Sequence, residues 1–382
     1  MVIAINTVSD IKDTPGGPLA CMRQLVSLWA ASHPEHRFIL LVAHQPSPSI
    51  NAGEAVETLA VGDLPSGPAR RYLWYQIKLP GILKKIGADF YLGLEIPALN
   101  SRVPQIVFLG DLRGFHHPES FSRASLLFYK SSLKRGLPRA GGVLTLSPSL
   151  QREIVTRFTL DPARVHYIPG IIGPEFRPLE HGEREEAKAQ YGEGHEYFVY
   201  TGPLGMDQNL IGLLKAFSIF KKRQKSGMKL VLAGPPGYRH PAFLKELSLY
   251  KYRGEVRVEP DLPLGELARV TAGAYAMVYP AREEGFPFWA LSAMRSGVPV
   301  VVAAGQGTQE QLGDAALYFD PTSVTQMAEG MMQLYRDEGF RTALIDKGRQ
   351  RGQSYHPKEA ADQGWKVVEG AFAPGNYIAA TP

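Results

Sequence analysis

Short apolar runs alternate along the chain with longer stretches in which apolar residues recur every three or four positions. Residues 2–5, 38–42, 106–109 and 143–146 are runs of strand length, apolar enough to be buried on both faces. Between them, Leu19, Met22, Leu25, Leu28 and Trp29 mark a helix over 18–31, and the stretches 72–86 and 121–137 also have helical spacing. Pro148 suits the first turn of a helix running to about Phe158, where its missing N–H would have no partner anyway. Strands of this kind separated by helices predict a parallel sheet covered on both sides.

The pattern then restarts. Pro169-Gly170-Ile171-Ile172-Gly173-Pro174 has the composition of a hinge, and a polar segment over 181–194 follows it. A second series of strand-like runs occupies 197–201, 229–233, 276–279 and 298–303. The prediction is α/β, with two doubly wound Rossmann-like domains, 1–172 and 173–360, facing each other across a cleft. Residues 361–382 are left for a C-terminal helix, free to pack back on the first domain, and a frayed tail. Ligands in such sheets bind beyond the carboxyl ends of the strands.

Composition narrows the class. The chain has no apolar run of about 18 residues, so no membrane-spanning helix is expected. Its first residues lack a basic flank and a cleavage site and read as a strand, not a signal peptide. A single cysteine, Cys21, excludes an internal disulfide and a cysteine metal cluster, and the expected compartment is the cytoplasm. The net charge of +5 is uneven: residues 1–172 carry 18 Lys/Arg against 12 Asp/Glu, and the rest is close to neutral. That bias suits an anionic partner such as a phospholipid surface or lipid-phosphate acceptor; a solvated basic face is the ordinary alternative. Nucleic acid is not expected, because the basic residues are not interleaved with aromatics in a binding module.

Three segments carry candidate chemistry. Pro15-Gly16-Gly17-Pro18 lies between the first strand and first helix, where glycines let backbone approach a ligand at a helix N-terminus. It is not a Gly-x-Gly-x-x-Gly fingerprint, and no acid ends the second strand at Leu41-Val42-Ala43-His44, which argues against nicotinamide chemistry. Gly202-Pro203-Leu204-Gly205-Met206-Asp207-Gln208-Asn209 is the equivalent loop of the second series. Most specific is Glu283-Glu284-Gly285-Phe286-Pro287-Phe288-Trp289, between a strand and a short apolar helix. A carboxylate there can hold sugar hydroxyls, and the helix start favours a diphosphate. Each segment could equally be a plain connector, and Glu284 a helix N-terminal acid.

Over about residues 1–372 the chain resembles glycosyltransferase family 4, a branch of the GT-B fold. The resemblance rests on an ordered set of phrases: Gly16-Gly17, His33-Pro34-Glu35-His36-Arg37-Phe38, Asp111-Leu112 with His117-Pro118-Glu119, Leu146-Ser147-Pro148-Ser149, Arg164-Val165-His166-Tyr167-Ile168-Pro169, Glu284-Gly285-Phe286, Ala293-Met294 and Gly313-Asp314-Ala315-Ala316. It implies transfer of a sugar from a nucleotide-diphosphate sugar to an acceptor hydroxyl, with retention, no metal and no cofactor. The second domain would hold the donor and the first a glycan or lipid-linked acceptor. Asp111 and Glu284 would be catalytic. Gly16, Gly17, Gly202, Arg282, Gly285, Phe286, Ser292 and Glu310 would serve the donor, Glu310 matching an acid near the nucleotide or else starting a helix. Peripheral contact with the inner face of the membrane, through 121–137, and a protein partner stay open.

Several departures fall on the chemistry. Where the family has an Arg and a Lys against the diphosphate, the chain has Met206, Asp207 and Gln208; where it has a second Glu for the ribose, the chain has Ser292. Pro287 replaces a small residue and removes a backbone donor, Trp289 replaces a proline, and Gly110-Asp111 replaces a His-Asp pair. At about 1.5–3 kcal/mol per hydrogen bond to a charged group, losing two cations and a ribose contact costs ~4–9 kcal/mol, a thousandfold or more in donor affinity. Arg239, Arg282 and Arg295 are candidate replacements. Two further readings follow: an inactive GT-B scaffold that binds a glycan, a nucleotide or a partner protein, and an unrelated Rossmann-like enzyme.

Overall fold

The structure, a computed structural model, describes residues 1–8, 17–44, 56–65, 67–98, 100–116, 118, 121–281 and 285–372. The chain divides into two compact units: residues 1–171 with the stretch from His356 onward, and Ile172–Tyr355. Each is built on its own parallel sheet. Among the described residues, no helix is long and apolar enough to cross a membrane.

The first unit holds β1 (Val2–Asn6), β2 (Arg37–Val42), β3 (Val56–Ala60), β4 (Phe90–Leu94), β5 (Gln105–Phe108), β6 (Gly142–Thr145) and β7 (Val165–Tyr167), in the order β3-β2-β1-β4-β5-β6-β7. Ile3 is in register with Phe38 on one side and Phe90 on the other, so the order reverses between β1 and β4. Their carboxyl ends are therefore where a ligand of this sheet would sit. The covering helices are α1 (Pro18–Ser32), α2 (Pro68–Leu73), α3 (Leu79–Lys85), α4 (Arg113–His116), α5 (Arg123–Gly136) and α6 (Pro148–Phe158). Between α2 and α3 a π-helical turn, Trp74–Lys78, widens the spiral so that Trp74, Tyr75 and Gln76 are all buried in succession.

The second unit holds β8 (Tyr197–Thr201), β9 (Lys229–Ala233), β10 (Val256–Glu259), β11 (Ala276–Tyr279), β12 (Val300–Ala303) and β13 (Leu317–Phe319), in the order β10-β9-β8-β11-β12-β13. Phe198 pairs with Leu230 and with Ala276, which puts the reversal between β8 and β11. Its helices are α7 (His181–Gly192), α8 (Leu210–Gln224), α9 (His240–Ser248), α10 (Leu264–Ala272), α11 (Phe288–Arg295), α12 (Gln306–Leu312), α13 (Val324–Arg336) and α14 (Glu338–Gln353). Strands β3, β7, β10 and β13 escape a search for apolar runs because they are only part-buried, and the fully buried β4 escapes it too.

The last described helix, α15 (Pro357–Phe372), belongs to the first unit and is held by aromatic packing. Trp29 of α1 donates from Nε1 to the Ala361 carbonyl at 2.8 Å, and the His33 ring stacks on Trp365 with centroids 3.9 Å apart. Trp29 and Phe38 close the same pocket at 5.9 and 6.2 Å from the Trp365 ring. Cys21, on the buried face of α1, has its thiol pushed up to about 11 by desolvation, partly offset by a backbone hydrogen bond at Ile171. It packs as a small apolar side chain. Trp365→Ala should cost about 3–5 kcal/mol of first-unit stability, read as a lower denaturant midpoint. An unchanged midpoint would mean that the helix is not anchored by this ring.

Candidate active site

The carboxyl end of the second sheet is organised by two glycines. Gly202, just past β8, has φ +144°, and Gly234, just past β9, has φ +137°; both lie in a region that only glycine enters freely. Their backbones touch: a Cβ added to Gly234 would stand 2.2 Å from the Gly202 carbonyl oxygen. Beyond them the two loops run side by side. Gly202 N–H donates to Ala233, Leu204 N–H to Pro235, Gly237 N–H to Leu204 and Met206 N–H to Tyr238, all at 2.8–3.0 Å. The His240 ring is also bonded to the Leu204 carbonyl, at 2.6 Å. The segment that carries Met206-Asp207-Gln208 is thus fastened to the loop that ends at Arg239.

On the other side of the reversal, α11 starts at Phe288 with Pro287 as its cap and no acid in its first turn. Phe286, Phe288 and Trp289 are buried with Phe176, and Trp289 Cδ1 lies 3.4 Å from the position a Gly202 Cβ would take. The tighter contact there is the Tyr200 hydroxyl, 2.8 Å from the same position. Ser292 is 0% exposed and its Oγ has no hydrogen-bond partner among the described residues.

Gly285 is held by the buried Gln311, whose Nε2 donates to its carbonyl at 2.8 Å. Glu310 is the fifth residue of α12 and does not start the helix. Its carbonyl and that of Gln311 accept from Arg351, and Tyr355 Oη also donates to Gln311. Gly202, Gly285, Phe286, Ser292 and Glu310 are therefore gathered on the elements that leave β8, β11 and β12. Gly16, Arg282 and Glu284 lie outside the described residues.

In the first unit, Gly17 caps α1 and Asp111 follows β5, part-exposed. Gly110 brings these two places together. A Cβ at 110 would lie 2.3 Å from Pro18 Cγ, so the proline ring fills the space a histidine would need. Glu95, at the end of β4, was not singled out by sequence pattern. It has φ +60°, rare for a residue with a long side chain, and its N–H donates to the Phe108 carbonyl at 2.9 Å. Nothing in an apolar-run pattern signals it, since the conformation comes from pairing across β4 and β5.

Of the three candidate cations, Arg295 is committed elsewhere: its guanidinium donates to the Ile172 carbonyl at 2.9 Å. Arg239 is exposed and has a left-handed backbone (φ +51°); its carbonyl accepts from Ala242 and Phe243 N–H, while its guanidinium forms no ion pair or hydrogen bond among the described residues. Its loop is the one fastened to residues 204–206.

Comparison with known proteins agrees with this geometry. Residues 183–351, nearly all of the second unit, match the family described as Glycosyl transferases group 1. O-antigen chain mannosyltransferase B of Escherichia coli is 25% identical over 270 residues, 70% of this chain and 69% of that one. D-inositol 3-phosphate glycosyltransferase 1 of Catenulispora acidiphila is 31% identical over 236 residues, 58% of this chain and 56% of that one, so little more than half of that relative is spanned. Among solved structures, Anabaena HepE in complex with UDP and glucose superposes with a TM-score of 0.76 at 15% identity, covering 97% of this chain and 99% of that one. WaaG, a glycosyltransferase involved in lipopolysaccharide biosynthesis, does so at 0.75 and 17%, covering 94% and 98%. The two sheets and these likenesses define a two-domain α/β protein of the GT-B fold. More particularly, the chain is a glycosyltransferase.

The glycine contact gives a direct test. Gly234→Ala forces a left-handed backbone and a methyl group onto the Gly202 carbonyl. It should cost about 1–3 kcal/mol or more, seen as a lowered midpoint for the second unit. Wild-type stability would show that the loops tolerate separation.

Proposed function

We propose that this protein transfers a hexose from a nucleotide-diphosphate sugar to a hydroxyl of a glycan acceptor, with retention of configuration. The observation that supports the reading is the family match over 183–351, which covers nearly all of the second unit, whose strand order reverses between β8 and β11. Mannose is the favoured sugar, because two relatives, from Escherichia coli and Salmonella typhimurium, are O-antigen chain mannosyltransferases. In this reading Glu284 holds hydroxyls of the sugar, and the backbone at Gly202 and Gly285 approaches the diphosphate. Asp111 meets the acceptor hydroxyl and takes up its proton as the bond to the sugar forms.

The departing diphosphate needs positive charge in the transition state. With Met206, Asp207 and Gln208 in place of cations, that charge is assigned to Arg239, carried on the neighbouring, fastened loop. A guanidinium can bind two phosphate oxygens at once, which suits one residue replacing two.

Titration calorimetry against UDP, GDP and ADP should show one of them binding one-to-one with a dissociation constant on the order of micromolar to hundreds of micromolar. Arg239→Ala should weaken it by about tenfold to a hundredfold. Heat from none of the three would overturn the donor-site reading; unchanged binding by the variant would remove Arg239 from it and leave the rest standing.

A further inference from the structure

An aromatic ring stands in water at the carboxyl edge of the second sheet. Tyr238, in the loop that follows β9, is 49% exposed. Neither its ring nor its hydroxyl meets a partner among the described residues. Tyr335, the other exposed tyrosine of this unit, differs in leaning on the core: its ring packs against Phe220 and Tyr275, with centroids 5.3 and 6.4 Å away.

The main chain that carries Tyr238 is fixed on both sides. Its carbonyl accepts from Met206 N–H at 2.9 Å, and the N–H of Gly237 donates to Leu204 at 3.0 Å. The two loops come so close here that each needs a glycine. A Cβ at Gly205 would stand 2.6 Å from the Tyr238 nitrogen and 2.8 Å from its carbonyl oxygen, and one at Gly237 would stand 2.9 Å from the Gly205 nitrogen. On the following side, the Arg239 carbonyl accepts from Ala242 and Phe243 N–H at 2.9 and 3.2 Å, which ties the loop to the first turn of α9. A tyrosine on a pinned backbone has few rotamers to lose and offers a flat apolar face, which suits a flat ligand.

The order of the strands says which part of the donor that face would meet. In the donor-site reading, Glu284, after β11, holds the sugar, and Gly202, after β8, meets the diphosphate. The sheet continues from β11 through β8 to β9, at about 4.8 Å per step. The next loop along the edge is that of Tyr238, and the next part of the donor is its nucleoside.

We infer that Tyr238 is a specificity-determining residue of the donor site, its ring stacked on the face of the nucleobase while Arg239 beside it takes the diphosphate. This rests on the donor-site reading and adds what holds the base. The ring responds to the presence of a base and not to its hydrogen-bonding edge, because every base has a π-face.

Titration calorimetry on the full chain tests this, with the nucleoside diphosphate of UDP, GDP and ADP that binds best and with inorganic pyrophosphate as its competitor. Tyr238→Ala should weaken the nucleoside diphosphate by about tenfold to a hundredfold. It should leave the competition constant of pyrophosphate and the melting temperature at wild-type values. Tyr238→Phe should bind like the wild type, since the stack does not use the hydroxyl. Unchanged nucleotide affinity in Tyr238→Ala would overturn the inference and leave the donor-site reading standing. An equal loss for pyrophosphate would overturn it by showing that the ring only shapes the loop, and a Tyr238→Phe variant as weak as Tyr238→Ala would overturn it by placing the contact on the hydroxyl. Heat from none of the three nucleotides would remove the donor-site reading itself, and this inference with it.

Discussion

The second unit turns on a contact in which two backbones meet with no side chain between them. Gly202 and Gly234 end adjacent parallel strands, and the carbonyl of one occupies the space that a Cβ on the other would fill. Because they touch, the loops beyond them pair hydrogen bond by hydrogen bond as far as Tyr238. Trp289, in the first turn of α11, lies beside the same glycine. The carboxyl edge of the sheet is thus built from loops bonded to one another, and a preorganised edge holds a ligand's phosphates at less ordering cost on binding.

The departures from the family pattern look like losses one residue at a time. In three dimensions their surroundings can be described. Gly110 lacks the histidine side chain, and Pro18 fills the space. Ser292 is too short to reach out, and it is enclosed by the packing of α11 while Trp289 takes up volume nearby. Residues 206–208 offer no cation, and the loop bonded to theirs ends in an exposed arginine whose guanidinium has no partner among the described residues.

Much of the fold was legible in the chain's pattern. Buried parallel strands are nearly continuous apolar runs, so β1, β2, β5, β6, β8, β9, β11 and β12 stand out. Pro148 marks the start of α6, and the Gly/Pro run over 169–174 spans the point where the units divide. The edge strands β3 and β10 do not stand out, because an edge strand is half-solvated and its composition approaches that of a loop. The candidate site was legible only as residue types at strand ends. Glu95's left-handed backbone, the Gly202–Gly234 contact, the Pro18 ring over Gly110 and the enclosure of Ser292 all arise between segments distant in sequence, where no local pattern reports them.

The central claim is that the carboxyl edge of the second sheet binds the donor through Gly202, Gly285 and the loop of Arg239. A crystal structure of the full chain with the nucleoside diphosphate it binds tests this most directly. The account predicts the diphosphate beyond β8 and β11, with the Arg239 guanidinium on its oxygens. A nucleotide bound at the strand ends of the first sheet, or one at the second sheet with Arg239 turned to solvent and another cation on the phosphates, would contradict it.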